Sequence, residues 1–244
     1  MLLLLFLLCG SAYATTPDQP EKAVVSVPVA DVWSRVLTPG EKPADELRET
    51  QVLSGEMVLI QESSGPWVRI EAIEQPEFTH RNFWEGYPGW MRKDALGPIK
   101  ADLQPPPRGL RDIIAYAKSV VGTPYLWGGL SPKGFDCSGL VHLAYRQHQM
   151  KIPRDAYEQW LKAKHTTRQD LKVGDLIFSA KADNPKKVTH VALYAGNGLI
   201  IEAPQTGMVV REIPFKEKYG KDFYSVESGD KVGERVIYFG SFQP

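Results

Sequence analysis

The segment Asp102-Leu-Gln-Pro-Pro-Pro-Arg108 most limits what this chain can fold into. Three consecutive prolines donate no backbone hydrogen bond and favour the extended polyproline form, so no helix or central strand runs through them. The 244 residues are therefore read as a front unit over 22–98, a stiff joint over 99–108 and a second unit over 109–244. In front of the joint, Val24–Trp33 alternates like a strand and is followed by a polar run to Thr50. Gln51–Ile60, Trp67–Glu71 and Gly86–Met91 read as further short strands, which makes a small all-β unit. Behind the joint, Leu110, Ile113, Ile114, Ala117 and Val121 recur at helical spacing until Gly122-Thr-Pro stops them. A second helix is expected from Asp136 to near Met150 and a third from Asp155 to His165. Strands follow at Asp175–Phe178, Val188–Tyr194, Leu199–Ala203, Met208–Ile213 and Val236–Phe239. Helices followed by a run of antiparallel strands define the α+β class, with the sheet backing the helices.

Residues 1–14 read as a secretory signal. Leu2–Leu8 is apolar but too short to span a bilayer, and Ala12-Tyr13-Ala14 offers a small-x-small cleavage site, although no Lys or Arg precedes the apolar run. A secreted or periplasmic protein is expected, free of the membrane after cleavage. Lipidation at Cys9 is disfavoured by Leu8, where a small residue belongs. Lys plus Arg equal Asp plus Glu at 29 each, so net charge points to no nucleic-acid partner. The five histidines show no metal-ligand spacing, and neither a metal nor a cofactor is expected. A monomer is expected. If cleavage follows Ala14, Cys9 is removed with the leader and Cys137 is the one remaining cysteine, which rules out an intramolecular disulfide.

Cys137 sits in Gly134-Phe-Asp-Cys-Ser-Gly-Leu140, between a glycine-rich loop and an amphipathic run. With Asp136 as N-cap, the sulfur lies over free backbone N–H groups and the positive end of a helix dipole, which favours thiolate. The alternative is a packed thiol acting as a small hydrophobe. A nucleophilic thiol needs a base and a group that orients the base. His142 lies about 140° around the helix from Cys137, and His148 about 16 Å along it, so neither can serve. His190 lies on a strand, and the next strand carries Glu202 in an otherwise apolar run; the turn Ala195-Gly-Asn-Gly198 makes the two neighbours.

The order Tyr125-x-Trp-Gly-Gly, Phe135-Asp-Cys-Ser-Gly, Pro153-Arg-Asp, Val173-Gly-Asp-Leu, His190-Val-Ala-Leu-Tyr and Glu202-Ala-Pro resembles the NlpC/P60 cysteine peptidases. The resemblance implies a papain-like catalytic domain that cleaves peptide stems of bacterial cell walls, with Cys137 as nucleophile, His190 as base and residue 202 as third polar member. It also implies an oxyanion site from Tyr125 and the backbone N–H groups around Cys137 and Ser138, and substrate contacts near Asp136, Arg154 and Asp155. Two positions depart from the pattern. The third member is more often His, Asn or Gln; a carboxylate there is expected to raise the His190 pKa and favour a thiolate–imidazolium pair. Ala156 replaces a serine that follows Asp155 in many relatives.

The front unit resembles the bacterial SH3-like (SH3b) barrel in Ala30-Asp-Val-Trp, Thr50-Gln-Val-Leu-Ser-Gly-Glu, the Trp67-Val strand and Gly86-x-x-Gly-Trp. That pair of domains resembles a subgroup that cuts the bond from γ-D-glutamate to a diamino acid, meso-diaminopimelate or L-Lys, in stem peptides with free N-terminal L-Ala. The front domain there closes one end of the cleft, and an acidic side chain pairs with the ammonium. Glu46, Glu49 and Glu85 are the candidates, with Tyr87 as a wall residue. The competing functions are a non-catalytic wall-binding protein and an amidase or acyltransferase of the same fold.

Overall fold

The structure, a computed structural model, describes residues 21–98 and 112–244. The expected leader and the proline joint lie outside the described residues. The front unit holds β1 (Glu21–Val25), β2 (Val29–Trp33), β3 (Arg48–Leu53), β4 (Met57–Ser64), β5 (Trp67–Glu77), β6 (Glu85–Arg92) and β7 (Leu96–Gly97). Two stretches expected as single strands are each two, because Pro28 interrupts the first and the turn Ser54–Gly55 the second. Alternation along β5 puts Val68, Ile70 and Ala72 into a core with Val32, Val52, Val58 and Met91.

These strands form one antiparallel sheet in the order β3-β2-β6-β5-β4-β1-β7. Among the described residues no ladder joins β3 to β7, so the sheet expected to form an SH3-like barrel is not closed. A barrel would have satisfied the free edge of β3 with another strand; here the second unit covers it. The Gln51 side chain accepts from the Leu130 N–H at 3.0 Å, and Arg48 Nη1 donates to the Trp127 carbonyl at 3.1 Å.

The second unit opens with α1 (Ile113–Ser119), β8 (Leu130–Ser131) and β9 (Gly134–Phe135), followed by α2 (Cys137–Gln147), α3 (Ala156–Lys162) and β10 (Lys164–His165). Then come β11 (Leu176–Lys181), β12 (Val188–Gly196), β13 (Leu199–Glu202), β14 (Arg211–Pro214), α4 (Phe215–Tyr219), β15 (Lys231–Val232) and β16 (Arg235–Ser241). The sheet is antiparallel in the order β10-β16-β11-β12-β13-β14, with β15 on β16. Every residue of α2 from Ser138 to Tyr145 is buried, the mark of a helix enclosed on all sides. Leu140, Val141 and Ala144 pack on Val191, Leu193 and Ile201, and burying each of the larger side chains contributes about 2 kcal/mol. The other face of the sheet packs Ile177, Ala192, Tyr194 and Ile200 against Phe215 of α4. His142 is buried in the helix packing and His148 is exposed at the helix end. No helix among the described residues is long and apolar enough to cross a membrane.

Hydrogen bonds dominate the junction between the units. The ladder of β5 with β6 shifts register between Ala72 and Pro76, and this bulge faces the second unit. Its Ile73 carbonyl accepts from Lys151 Nζ, and its Pro76 carbonyl accepts from the Arg154 N–H at 3.0 Å. Gln75 bonds Thr50 and the Gln51 carbonyl. Arg146, at the end of α2, forms an ion pair with the buried Glu56. Gly128 takes φ +67°, and a Cβ there would lie 2.7 Å from the Arg48 carbonyl oxygen, so the backbones meet where a side chain has no room.

Candidate active site

The chain passes from β9 into α2 through Asp136, whose extended backbone and carboxylate cap the helix; Oδ1 accepts from the Gly139 N–H at 2.6 Å. Gly139, in the first turn of α2, has no room for a side chain, because a Cβ there would stand 2.1 Å from the Gly129 carbonyl oxygen. Cys137 is the first residue of the helix, and backbone N–H groups of Val191 and Ser138 stabilise charge on its sulfur. Burial, followed by the Asp136 carboxylate, nevertheless pushes the thiol up to about 12. The helix terminus does not by itself make a thiolate here.

Val191 follows His190 in β12, so the sulfur lies beside the strand that carries the histidine. The His190 Nε2–H donates to Glu202 Oε2 at 2.7 Å. Leu193 stands opposite Ile201, which places His190 diagonally across from Glu202 on the neighbouring strand, within reach of a long side chain. Glu202 has no exposed surface, yet its pKa is held down at about 2: burial acts to raise it and is outweighed by His190 and Lys218. Arg211, directly opposite on β14, donates to Oε1 from Nε at 3.1 Å and from Nη2 at 2.8 Å, and Lys218 Nζ of α4 donates to Oε2.

The expected rise of the His190 pKa does not occur. Burial lowers it first, Glu202 raises it, and Lys218 and Arg235 lower it again. These shifts favour thiol and neutral imidazole as the resting forms. With Nε2–H committed to Glu202, Nδ1 is the nitrogen left to take a proton.

A cavity of about 760 Å³ is lined by Cys137, Tyr125, Asp136, Ser138, Trp127 and Ala156, with Glu49 and Tyr87 of the front unit and Asp155 at the head of α3. Asn184, Lys186 and Lys187, before β12, also line it. Tyr87 Oη donates to Asp155 Oδ2 at 2.9 Å and lies 3.4 Å from Glu49 Oε2, so the two units share one acidic end of the cavity. Burial, opposed by the Arg154 charge, raises Asp155 to about 7. Burial also raises the Tyr125 and Tyr87 hydroxyls, which remain donors.

Three expected contacts fall elsewhere. Glu46 is exposed on a short 3-10 turn and does not line the cavity. Glu85 is turned away toward Arg81 and its carboxyl is raised by burial. Arg154 has no exposed surface and lies behind the cavity wall. Its Nη1 and Nη2 donate to Asp136 Oδ1 and Oδ2 at 3.0 and 2.7 Å, Nη1 to Ser138 Oγ at 3.1 Å, and Nε to Thr50 Oγ1 at 2.9 Å. The sequence reading missed Arg211, Lys218 and Trp127 as site residues. Trp127 stood inside a quoted motif, and its half-exposed ring is the signal that only the structure supplies. Among the described residues no group of three or more His, Cys, Asp or Glu is placed to hold a metal ion.

A half-buried thiol at a helix N-terminus, open to the cavity and beside a strand-borne His–carboxylate pair, is the arrangement of a cysteine hydrolase. Residues 122–227 match the NlpC/P60 family. The protein is a hydrolase of the cysteine-peptidase type, and its second unit is similar to the NlpC/P60 peptidases. It is 28% identical over 281 aligned positions to the gamma-D-glutamyl-L-lysine dipeptidyl-peptidase of Bacillus subtilis (strain 168), covering 87% of this chain and 94% of that one. It is 41% identical over 108 positions to the murein DD-endopeptidase MepH of Escherichia coli (strain K12), covering 43% of this chain and 40% of that one. The crystal structure of an NlpC/P60 family protein from Bacillus cereus ATCC 10987 shares the fold, with a TM-score of 0.71 over 92% of this chain and all of that one at 22% identity.

Proposed function

We propose that the protein is a peptidoglycan endopeptidase that hydrolyses the bond between γ-D-glutamate and a diamino acid in stem peptides with a free N-terminal L-Ala. The observation that carries this reading is the acidic end of the cavity, where Glu49, Tyr87 and Asp155 meet in the space that also holds Cys137. A peptide ammonium is complementary to that end, and a glycan-linked or acylated N-terminus brings bulk without the charge. The names of the Bacillus subtilis and Escherichia coli relatives support a murein-derived substrate.

In the mechanism, Cys137 Sγ attacks the γ-carbonyl carbon of D-Glu while His190 Nδ1 takes the thiol proton. The oxyanion is met by the backbone N–H groups at the start of α2 and by the Tyr125 hydroxyl. The C–N bond breaks as His190 passes the proton to the leaving amine, and water, deprotonated by His190, releases L-Ala-D-Glu from the thioester. The expected export of the protein would bring it to such substrates.

The test is incubation of the protein with L-Ala-γ-D-Glu-L-Lys, its meso-diaminopimelate counterpart, the N-acetylated peptides and intact murein, with products read by mass spectrometry. Release of L-Ala-D-Glu from the free-amine peptides alone, abolished in Cys137→Ala, is expected. Equal cleavage of acetylated peptides refutes the acidic end as the selector, and no Cys137-dependent cleavage refutes the bond assignment.

A further inference from the structure

The carboxylate behind His190 is held by more than the catalytic pair needs. We propose that Arg211 and Lys218 are positioning residues of the catalytic machinery: by sharing the Glu202 carboxylate they cancel its charge, so that it orients His190 as a neutral group would. This rests on the assignment of Cys137 and His190 as nucleophile and base.

Glu202 has no exposed surface and four donor atoms converge on it, His190 Nε2 and Lys218 Nζ on Oε2, Arg211 Nε and Nη2 on Oε1. Its hydrogen-bonding capacity is filled by one imidazole and two permanent cations. A lone carboxylate against an imidazole makes imidazolium the favoured form, which can no longer accept the thiol proton. Two cations on the same carboxylate remove that pull while keeping the oxygen that fixes the Nε2–H tautomer. Because His190 and Lys218 reach the same oxygen, their nitrogens are no more than about 5 Å apart.

The remaining groups around His190 act in the same sense or are neutral. Arg235 of β16 donates to Thr189 beside it and lowers its basicity, and Ser179 stands opposite on β11. Tyr219 of α4 is raised by burial and stays protonated, as does the Cys137 thiol of α2. Burial sets the downward direction, and Glu202 is the carboxylate that opposes it most strongly, so changing the charge around Glu202 moves the His190 pKa.

The experiment is the titration of His190 by imidazole NMR in a Cys137→Ala background, together with the pH profile of kcat/KM on L-Ala-γ-D-Glu-L-Lys in the active protein. Lys218→Met is expected to raise the His190 pKa by about one unit and to move the acid limb of the profile upward by the same amount. Lys218→Arg, which keeps the charge, is expected to titrate as wild type. Glu202→Gln leaves two cations uncompensated and is expected to lower the pKa, and Glu202→Gln with Lys218→Met is expected to bring it back toward wild type. A merely structural role for Lys218 predicts loss of activity without this crossing pattern. An unchanged His190 titration in folded Lys218→Met, or a double variant no closer to wild type than either single one, overturns the proposal. The NMR arm needs no turnover, so failure of the assigned reaction is seen separately, as absent hydrolysis by wild type.

Discussion

Replacing Arg154 with Met tests whether the thiol is positioned by a buried ion pair. The guanidinium has no exposed surface and satisfies both oxygens of Asp136, Ser138 Oγ and, across the junction, Thr50 Oγ1. Methionine fills much of the volume but leaves the Asp136 carboxylate, 12% exposed, with only the Gly139 N–H and the Ser138 hydroxyl. Breaking a buried pair from one side costs about 3–5 kcal/mol. For a chain of this size that corresponds to a fall in Tm of roughly 6–20 °C. Asp136 also caps the helix that begins at Cys137, so kcat/KM is expected to fall by about 100-fold, the scale of a 1 Å misplacement of the nucleophile. The assay is chemical denaturation of wild type, Arg154→Met, Asp136→Asn and the double variant as a cycle. Because each single change strands its partner, the double variant is expected to be more stable than the sum of the singles by about 2 kcal/mol or more. Arg154→Lys keeps the charge without the fork and should fall between wild type and Met. A coupling energy within about 0.5 kcal/mol of zero would refute the buried pair as the support of the loop.

Three further outcomes follow from the same geometry. Asp155, raised to about 7, binds an ammonium only when ionised, so KM for a free-amine peptide should rise about tenfold per pH unit below 7. N-acetylated peptide and the Asp155→Asn variant should lack that dependence; a KM flat from pH 8 to 5.5 sinks the ammonium contact. Glu202, lowered from 4.5 to about 2, contributes on the order of 3 kcal/mol above pH 4.5 that is lost as pH falls toward 2, and acid titration of Glu202→Gln should show a flatter limb. Gly139→Ala forces a Cβ to 2.1 Å from the Gly129 carbonyl, and should cost about 3 kcal/mol with loss of activity; a stable, active variant would show that the loop can move aside.

Much of the second unit is legible in the residues because short-range rules decide it. Asp136 before Cys137 caps a helix by local hydrogen bonding, and a histidine and a glutamate on apolar strands joined by a tight turn become neighbours by β pairing. Charge environment is not local in this way. Lys218 lies sixteen positions beyond Glu202 on a five-residue helix, and only the packing of that helix on the sheet brings its ammonium to the carboxylate. The sign expected for the His190 shift was therefore reversed: burial of the ring lowers its pKa first, and the Lys218 and Arg235 charges lower it further against the pull of Glu202.

Arg154 shows the same limit from another side. A charged residue beside Asp155 in a family-like motif reads as a substrate contact, because motif membership carries no information on which way a long side chain turns. The structure turns it inward, where Thr50 of β3 and Asp136 share its donors. One side chain thereby joins the β3 edge of the front sheet to the cap of the catalytic helix. The front unit had read as an SH3-like barrel that closes one end of the cleft, but through Thr50 of β3 it also supplies part of the support of the thiol itself. Separating the units should then change catalysis at Cys137 as well as the choice of substrate, and a catalytic unit that retained full kcat on its own would contradict that coupling.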